Sequence, residues 1–158
     1  MNITIISVGK IKEKYFTDAV NEYAKRMSRF AKFNIIEIPD EKIPDNASDK
    51  EMLAIKVKEG MGILNKIPNG AYVIAMCIEG DLVSSEEIAK KIAAASMRAS
   101  HIVFIIGGSL GLSDEVKKRA DIKMSFGRIT LPHQLMRVVL SEQIYRGFKI
   151  NNNENYHK

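Results

Sequence analysis

The sequence holds one cysteine, Cys77, and no tryptophan. A single thiol builds neither a disulfide framework nor a cysteine-based metal cluster, so a stapled secreted fold and a zinc module are both excluded. No apolar run reaches the roughly 20 residues that a membrane helix needs. The start, Met1-Asn2-Ile3-Thr4-Ile5-Ile6, lacks the basic leader and small-residue cleavage site of a signal peptide. The chain therefore reads as soluble and cytoplasmic, with no membrane partner and no metal. Only four prolines occur, and no repeat or low-complexity linker interrupts the sequence. Residues 1–158 are expected to form a single domain.

Two phosphate-binding signatures are also missing. There is no G-x-x-x-x-G-K-[ST], which rules out a P-loop nucleotide hydrolase. After the first strand, Val8-Gly9-Lys10 offers one glycine where a dinucleotide fold needs three. What is present is an ordinary globular mixture, 46% hydrophobic and 27% charged. Lys and Arg number 24 against 19 Asp and Glu, a net charge of +5. That excess favours a polyanionic partner without requiring one.

Short β-branched runs alternate with amphipathic segments. Strands are expected at Ile3–Val8, Asn34–Ile38, Tyr72–Ile78, Ile102–Ile106 and Ile122–Phe126. Helices are expected at Tyr15–Phe30, from Ser48 to about Asn65, from Ser84 to about Met97, at Asp114–Ala120, and from Pro132 to about Ile150. Ser48-Asp49-Lys50-Glu51 and Ser84-Ser85-Glu86-Glu87 both match the capping box. The uninterrupted Ile102–Ile106 run suits a central parallel strand buried on both faces. The alternation predicts an α/β fold, a mostly parallel sheet sandwiched by helices.

Ile106-Gly107-Gly108-Ser109-Leu110-Gly111 places three glycines directly after that buried strand. Loops at strand C-termini are where open α/β sheets bind ligands, and glycine admits close backbone approach. A tight turn with no ligand explains the same residues equally well. The Phe126-Gly127-Arg128-Ile129-Thr130-Leu131-Pro132-His133 segment precedes the last helix. Thr130 suits a cap there, Pro132 the first turn and His133 a satisfied capping position. His101, at a strand start, is read as structural.

Apolar residues surround the last helix almost completely, which signals burial on more than one side, often against a second subunit. Glu142 and Arg146 share a helix side at i,i+4 spacing, acid first, the favourable order. They form either an interfacial ion pair or a charged pair facing a substrate pocket. The polar tail Asn151–Lys158 should be disordered by default. Its end, Tyr156-His157-Lys158, nonetheless supplies a stacking ring, a group titrating near neutrality and a cation, the features an RNA base and phosphate engage.

In order along the chain stand Ile106-Gly107-Gly108-x-x-Gly111-Leu112, Leu131-Pro132-His133-Gln134-Leu135-Met136-Arg137-Val138, Glu142-Gln143-Ile144-Tyr145-Arg146 and Tyr156-His157-Lys158. Together they resemble the 23S rRNA (pseudouridine1915-N3)-methyltransferase family, RlmH, of the SPOUT class. The likeness spans the chain and takes in Val8-Gly9-Lys10 and Ile36-Glu37-Ile38-Pro39. It implies a SPOUT-type α/β trefoil knot in the C-terminal half and a homodimer. Topology rules make knots too rare for the knot to be reached any other way.

The resemblance further implies S-adenosylmethionine as methyl donor and no metal. The donor would be held at Met76, Gly107 and Gly108, and along Phe126, Gly127, Arg128, Ile129, Thr130 and Leu131. Met76 stands where the family has leucine, a volume-conserving change. The contact at Arg128 is assigned to backbone. The implied reaction transfers methyl to N3 of a pseudouridine in 23S rRNA of the large ribosomal subunit, which requires the N3 proton to leave. Candidate catalytic groups are His157, Glu142 and Arg146, while Arg137, Tyr156 and Lys158 are expected to meet the substrate. Two readings compete: a SPOUT enzyme acting on tRNA, and a ribosome-binding factor that keeps the fold without catalysis.

Overall fold

A computed structural model describes residues 1–158. The elements in chain order are β1 (Asn2–Val8), α1 (Lys14–Met27), β2 (Lys32–Ile38), α2 (Asp49–Lys66) and β3 (Tyr72–Leu82). They continue with α3 (Ser85–Ser96), β4 (His101–Ile106), α4 (Asp114–Arg119), β5 (Ile122–Ser125) and α5 (His133–Asn151). The five strands form one sheet in the order β2-β1-β4-β3-β5, and every pairing is parallel. No helix is long and apolar enough to cross a membrane.

Strand periodicity divides the core in two. Ile3, Ile5, Ile74, Met76, Phe104 and Ile106 point to the face covered by α1, α3 and α5. Ile6, Val8, Val73, Ala75, Val103 and Ile105 point to the opposite face, under α2 and α4. Being covered on both sides, β4 carries the unbroken apolar run anticipated for it. His101 is structural, its Nε2 lying 2.8 Å from Thr4 Oγ1.

Both capping boxes form. Ser48 and Ser84 accept from the backbone N–H of Glu51 and Glu87, whose carboxylates reach back to the cap residues. The last helix starts differently. Its N-cap is Pro132, and no side chain caps it, so Thr130 does not play the role expected of it. Tertiary contacts hold this end instead: Gln134 Oε1 accepts from Lys12 N at 2.9 Å, tying α5 to the loop after β1.

Strand β3 runs past Ile78, its expected end, and continues to Leu82. It pairs with β5 twice, through Ile74–Met76 and again through Asp81–Leu82, with a break in register between. Gly80 makes this possible, because a Cβ there would lie 2.6 Å from the Met124 backbone. Part of the nearly all-round apolar surface of α5 is covered within the chain. Leu140, Ile144 and Phe148 share one core with Met27 of α1 and with Ile88 and Ile92 of α3.

Arg137 is a correction. Expected to meet substrate, it is completely buried, with 0% of its surface exposed. Its Nε donates to Ser7 Oγ at 2.8 Å and its Nη1 to Glu37 Oε2 at 2.7 Å. Its Nη2 donates to the carbonyls of Gly9 at 2.5 Å and Val8 at 3.3 Å. With no surface left to offer, it joins the ends of β1 and β2 to α5. The tail also differs from expectation. Glu154 pairs with Arg29 at 2.6 Å and with Lys149, and Tyr156 and His157 are partly buried.

Replacing Arg137 by Met keeps length and apolar bulk while stranding Ser7 Oγ and the Gly9 carbonyl. The expected cost is about 3 kcal/mol, read as a lower urea midpoint, with Arg137→Lys recovering only part because it lacks the planar fork. An unchanged midpoint would show that these hydrogen bonds contribute nothing.

Candidate functional site

The C-terminal ends of β3, β4 and β5 and the loops that follow them enclose a cleft of about 640 Å³, within the roughly 300–1,000 Å³ usual for small-molecule sites. Met76, Gly107, Gly108, Phe126, Gly127, Ile129, Thr130 and Leu131 all line it. Arg128 is exposed and lies outside the lining. Cys77, Met124, His133 and Met136 line it too, and nothing in the sequence pattern placed them there.

The glycine loop satisfies the ligand-free explanation of its composition at one position. A Cβ on Gly107 would come within 3.0 Å of the Gly111 backbone and of Leu112, so Gly107 is required by the loop's own closure. Gly111 donates to the Gly108 carbonyl at 3.0 Å and adopts φ +83°. Gly111 itself faces open space, with no atom within 4 Å of where a Cβ would stand. In the second loop, Gly127 sits at φ +113°, and its N–H donates to Ser125 Oγ at 3.1 Å. Two turns that only glycine adopts without strain thus form opposing walls of the cleft.

Glu142, Arg146, Tyr156 and His157 come together elsewhere and line no part of the cleft. Glu142 Oε1 accepts from Arg146 Nη2 at 2.5 Å and from the Tyr156 hydroxyl at 3.1 Å. Glu142 Oε2 accepts from Gln143 Nε2 at 2.8 Å. The Arg146 guanidinium lies 4.7 Å from the Tyr156 ring centre, a cation–π arrangement. Arg146 Nη1 stands 3.2 Å from His157 Nδ1, and because arginine only donates, Nδ1 accepts. His157 Nε2 then carries the proton and donates to Glu86 at 2.8 Å. Every polar atom of Glu142 and His157 is therefore occupied within the chain. Lys158 is exposed beyond them.

A shallower groove adjoins both regions. Phe126, Ile129 and Leu131 belong to its wall as well as to the cleft, and Gln143, the neighbour of Glu142, lies at its other side. Ile129 is 81% exposed and Leu82 72%, so apolar surface borders the cleft mouth.

A family model described as "Predicted SPOUT methyltransferase" matches residues 1–157. The chain belongs to this SPOUT methyltransferase family. Full-length relatives agree. A Clostridium perfringens protein named "Ribosomal RNA large subunit methyltransferase H 1" is 58% identical, with all of both chains covered. A Lactiplantibacillus plantarum protein named "Ribosomal RNA large subunit methyltransferase H" is 60% identical over the same span. Among solved structures, "a probable methylase family protein from Haemophilus influenzae Rd KW20" matches with a TM-score of 0.50 and 14% identity. It covers 96% of this chain and 66% of that one, and speaks to the fold alone.

Burial, together with the Glu142 carboxylate that accepts its proton, pushes the Tyr156 hydroxyl up to about 12. Ultraviolet titration should show one tyrosine ionising near that pH, and Tyr156→Phe should remove that step. Loss of a step near the ordinary value of about 10 would contradict the packing.

Proposed function

We propose that this protein methylates ribosomal RNA of the large subunit, at N3 of a pseudouridine in 23S rRNA, with S-adenosylmethionine as donor. The cleft at the ends of β3, β4 and β5 carries the reading. It gathers eight of the nine residues that the family resemblance assigns to the donor. Its chemistry fits: Met76, Ile106, Met124 and Phe126 give an apolar bed for an aromatic base, and two glycine turns bring backbone polar groups to its edges. The full-length rRNA methyltransferase relatives supply the substrate class.

When bound, the donor supplies an electrophilic sulfonium methyl. The chain's own part is to hold that methyl roughly 3–3.5 Å from the nucleophile, aligned and shielded from water. The imide proton must also leave N3, so negative charge develops there and a nearby cation lowers the barrier. Arg146 is the candidate stabiliser, Glu142 and His157 the candidate proton acceptors once RNA displaces their hydrogen bonds within the chain, and Tyr156 and Lys158 the candidate RNA contacts. Because this cluster lines no part of its own chain's cleft, it would act at the cleft of a second copy. The apolar rim formed by Leu82 and Ile129 supports such a homodimer. The same reading takes residues 1–158 as one SPOUT-type domain with a trefoil knot.

Methyl label should enter 23S rRNA when ribosomes from a strain lacking the protein are incubated with it. Deleting Tyr156-His157-Lys158 should lower that incorporation at least a hundredfold, about the low end for general acid–base groups, while donor binding by calorimetry holds. Label in bulk tRNA, or full activity of the truncated chain, would overturn the substrate and the role of the tail respectively.

A further inference from the structure

Two segments singled out in the sequence, Val8-Gly9-Lys10 and Leu131 to Val138, meet at a side chain so far given no task. His133 lines the cleft and is partly buried. Its ring lies against Gly9: a Cβ there would sit 2.8 Å from the ring's Cε1, and Gly9 adopts φ +91°. Only glycine leaves room for the imidazole. On its inner side, His133 Nδ1 stands 3.2 Å from Arg137 Nη2.

That contact decides where the ring's proton lies. A guanidinium has no lone pair to offer, so Nδ1 accepts and the single N–H of a neutral ring is at Nε2. Arg137 cannot turn away, since its Nε donates to Ser7 and its Nη1 to Glu37, while Nη2 shares its two N–H among Gly9, Val8 and His133. Burial first, and then the Arg137 charge, hold the imidazole below its usual value. Lys12 acts in the same direction, and Asp40 and Glu37 oppose. Nε2–H has no partner within the chain, while each nitrogen of the Arg137 guanidinium has one.

The cleft makes that free donor matter. No lysine, arginine or carboxylate lines it, and His133 is the only lining side chain with an N–H. A neutral ring also suits a ligand carrying a sulfonium charge, which an imidazolium would repel. We propose that His133, fixed by Arg137 as the Nε2–H tautomer, donates a hydrogen bond to an acceptor atom of the methyl donor bound in this cleft. Arg137 is then a positioning residue, acting through His133. The inference rests on the donor-cleft reading and adds to it a side chain outside the Phe126–Leu131 stretch.

Two measurements on the full-length protein test it. Long-range ¹H–¹⁵N correlation should show His133 protonated at Nε2 and bare at Nδ1; the opposite tautomer overturns the inference. Calorimetry with S-adenosylhomocysteine should show His133→Asn, which keeps an acceptor near Arg137 but lacks the outer N–H, binding about three- to tenfold more weakly, the loss of one neutral hydrogen bond. His133→Gln, whose amide reaches the Nε2 position, should recover most of the affinity. In turnover, KM for the donor should rise in His133→Asn while KM for ribosomes holds. Equal affinity in all three proteins, or a rise confined to the ribosome KM, overturns the inference alone. A wild-type protein that binds no S-adenosylhomocysteine overturns the donor-cleft reading beneath it.

Discussion

The buried guanidinium of Arg137 is the constraint on which the rest of the architecture hangs. A parallel sheet leaves its strand ends without a continuing ladder, and here β1 and β2 end side by side under α5. One planar group supplies donors to Ser7, Val8, Gly9 and Glu37 together. Lysine has neither the number nor the spacing of donors to do this. Glu37 is shared further, its Oε2 accepting from Ile11 N at 2.7 Å, so the loop leaving β1 is fixed as well. The start of α5, lacking a side-chain cap, is thereby held through its second turn.

From this anchor two regions diverge in character. The cleft presents apolar surface and backbone, with His133 Nε2 as a donor that no group of the chain occupies. The Glu142–Arg146–Tyr156–His157 cluster is the reverse, densely hydrogen-bonded and closed on itself. In a partly buried setting such a network fixes geometry, because each group's removal leaves its neighbours unsatisfied. A site assembled from both would pair a soft, adaptable pocket with a rigid charged one.

Much of this was legible from local pattern. The capping boxes at Ser48 and Ser84, the two-faced run of β4 and the ligand loops at Gly107 and Gly127 each follow from residues close in sequence. The failures share a cause: they depend on partners far along the chain. Arg137 reads as a solvent-seeking cation until Ser7 and Glu37, 130 and 100 residues away, are seen to enclose it. The strand expected to end at Ile78 runs on through Glu79-Gly80-Asp81, where the Met124 backbone lies close against Gly80. The tail reads as disordered because its polar composition says nothing of Arg29 or Glu86. His133, read as a simple cap, gave no sign of Gly9.

The strand order β2-β1-β4-β3-β5 carries a consequence for how the chain reaches this state. The middle strand, β4, begins only at His101, so the first hundred residues contain a β1–β2 pair and a β3 with nothing beside it. Until β4 inserts, β1 and β3 each present an open, strongly apolar edge, the kind that recruits strands from other molecules. Insertion must close loops of many tens of residues at once, which places this fold among the slow folders. Conditions that delay that single step, rather than any that weaken the finished sheet, are where aggregation of this protein should begin.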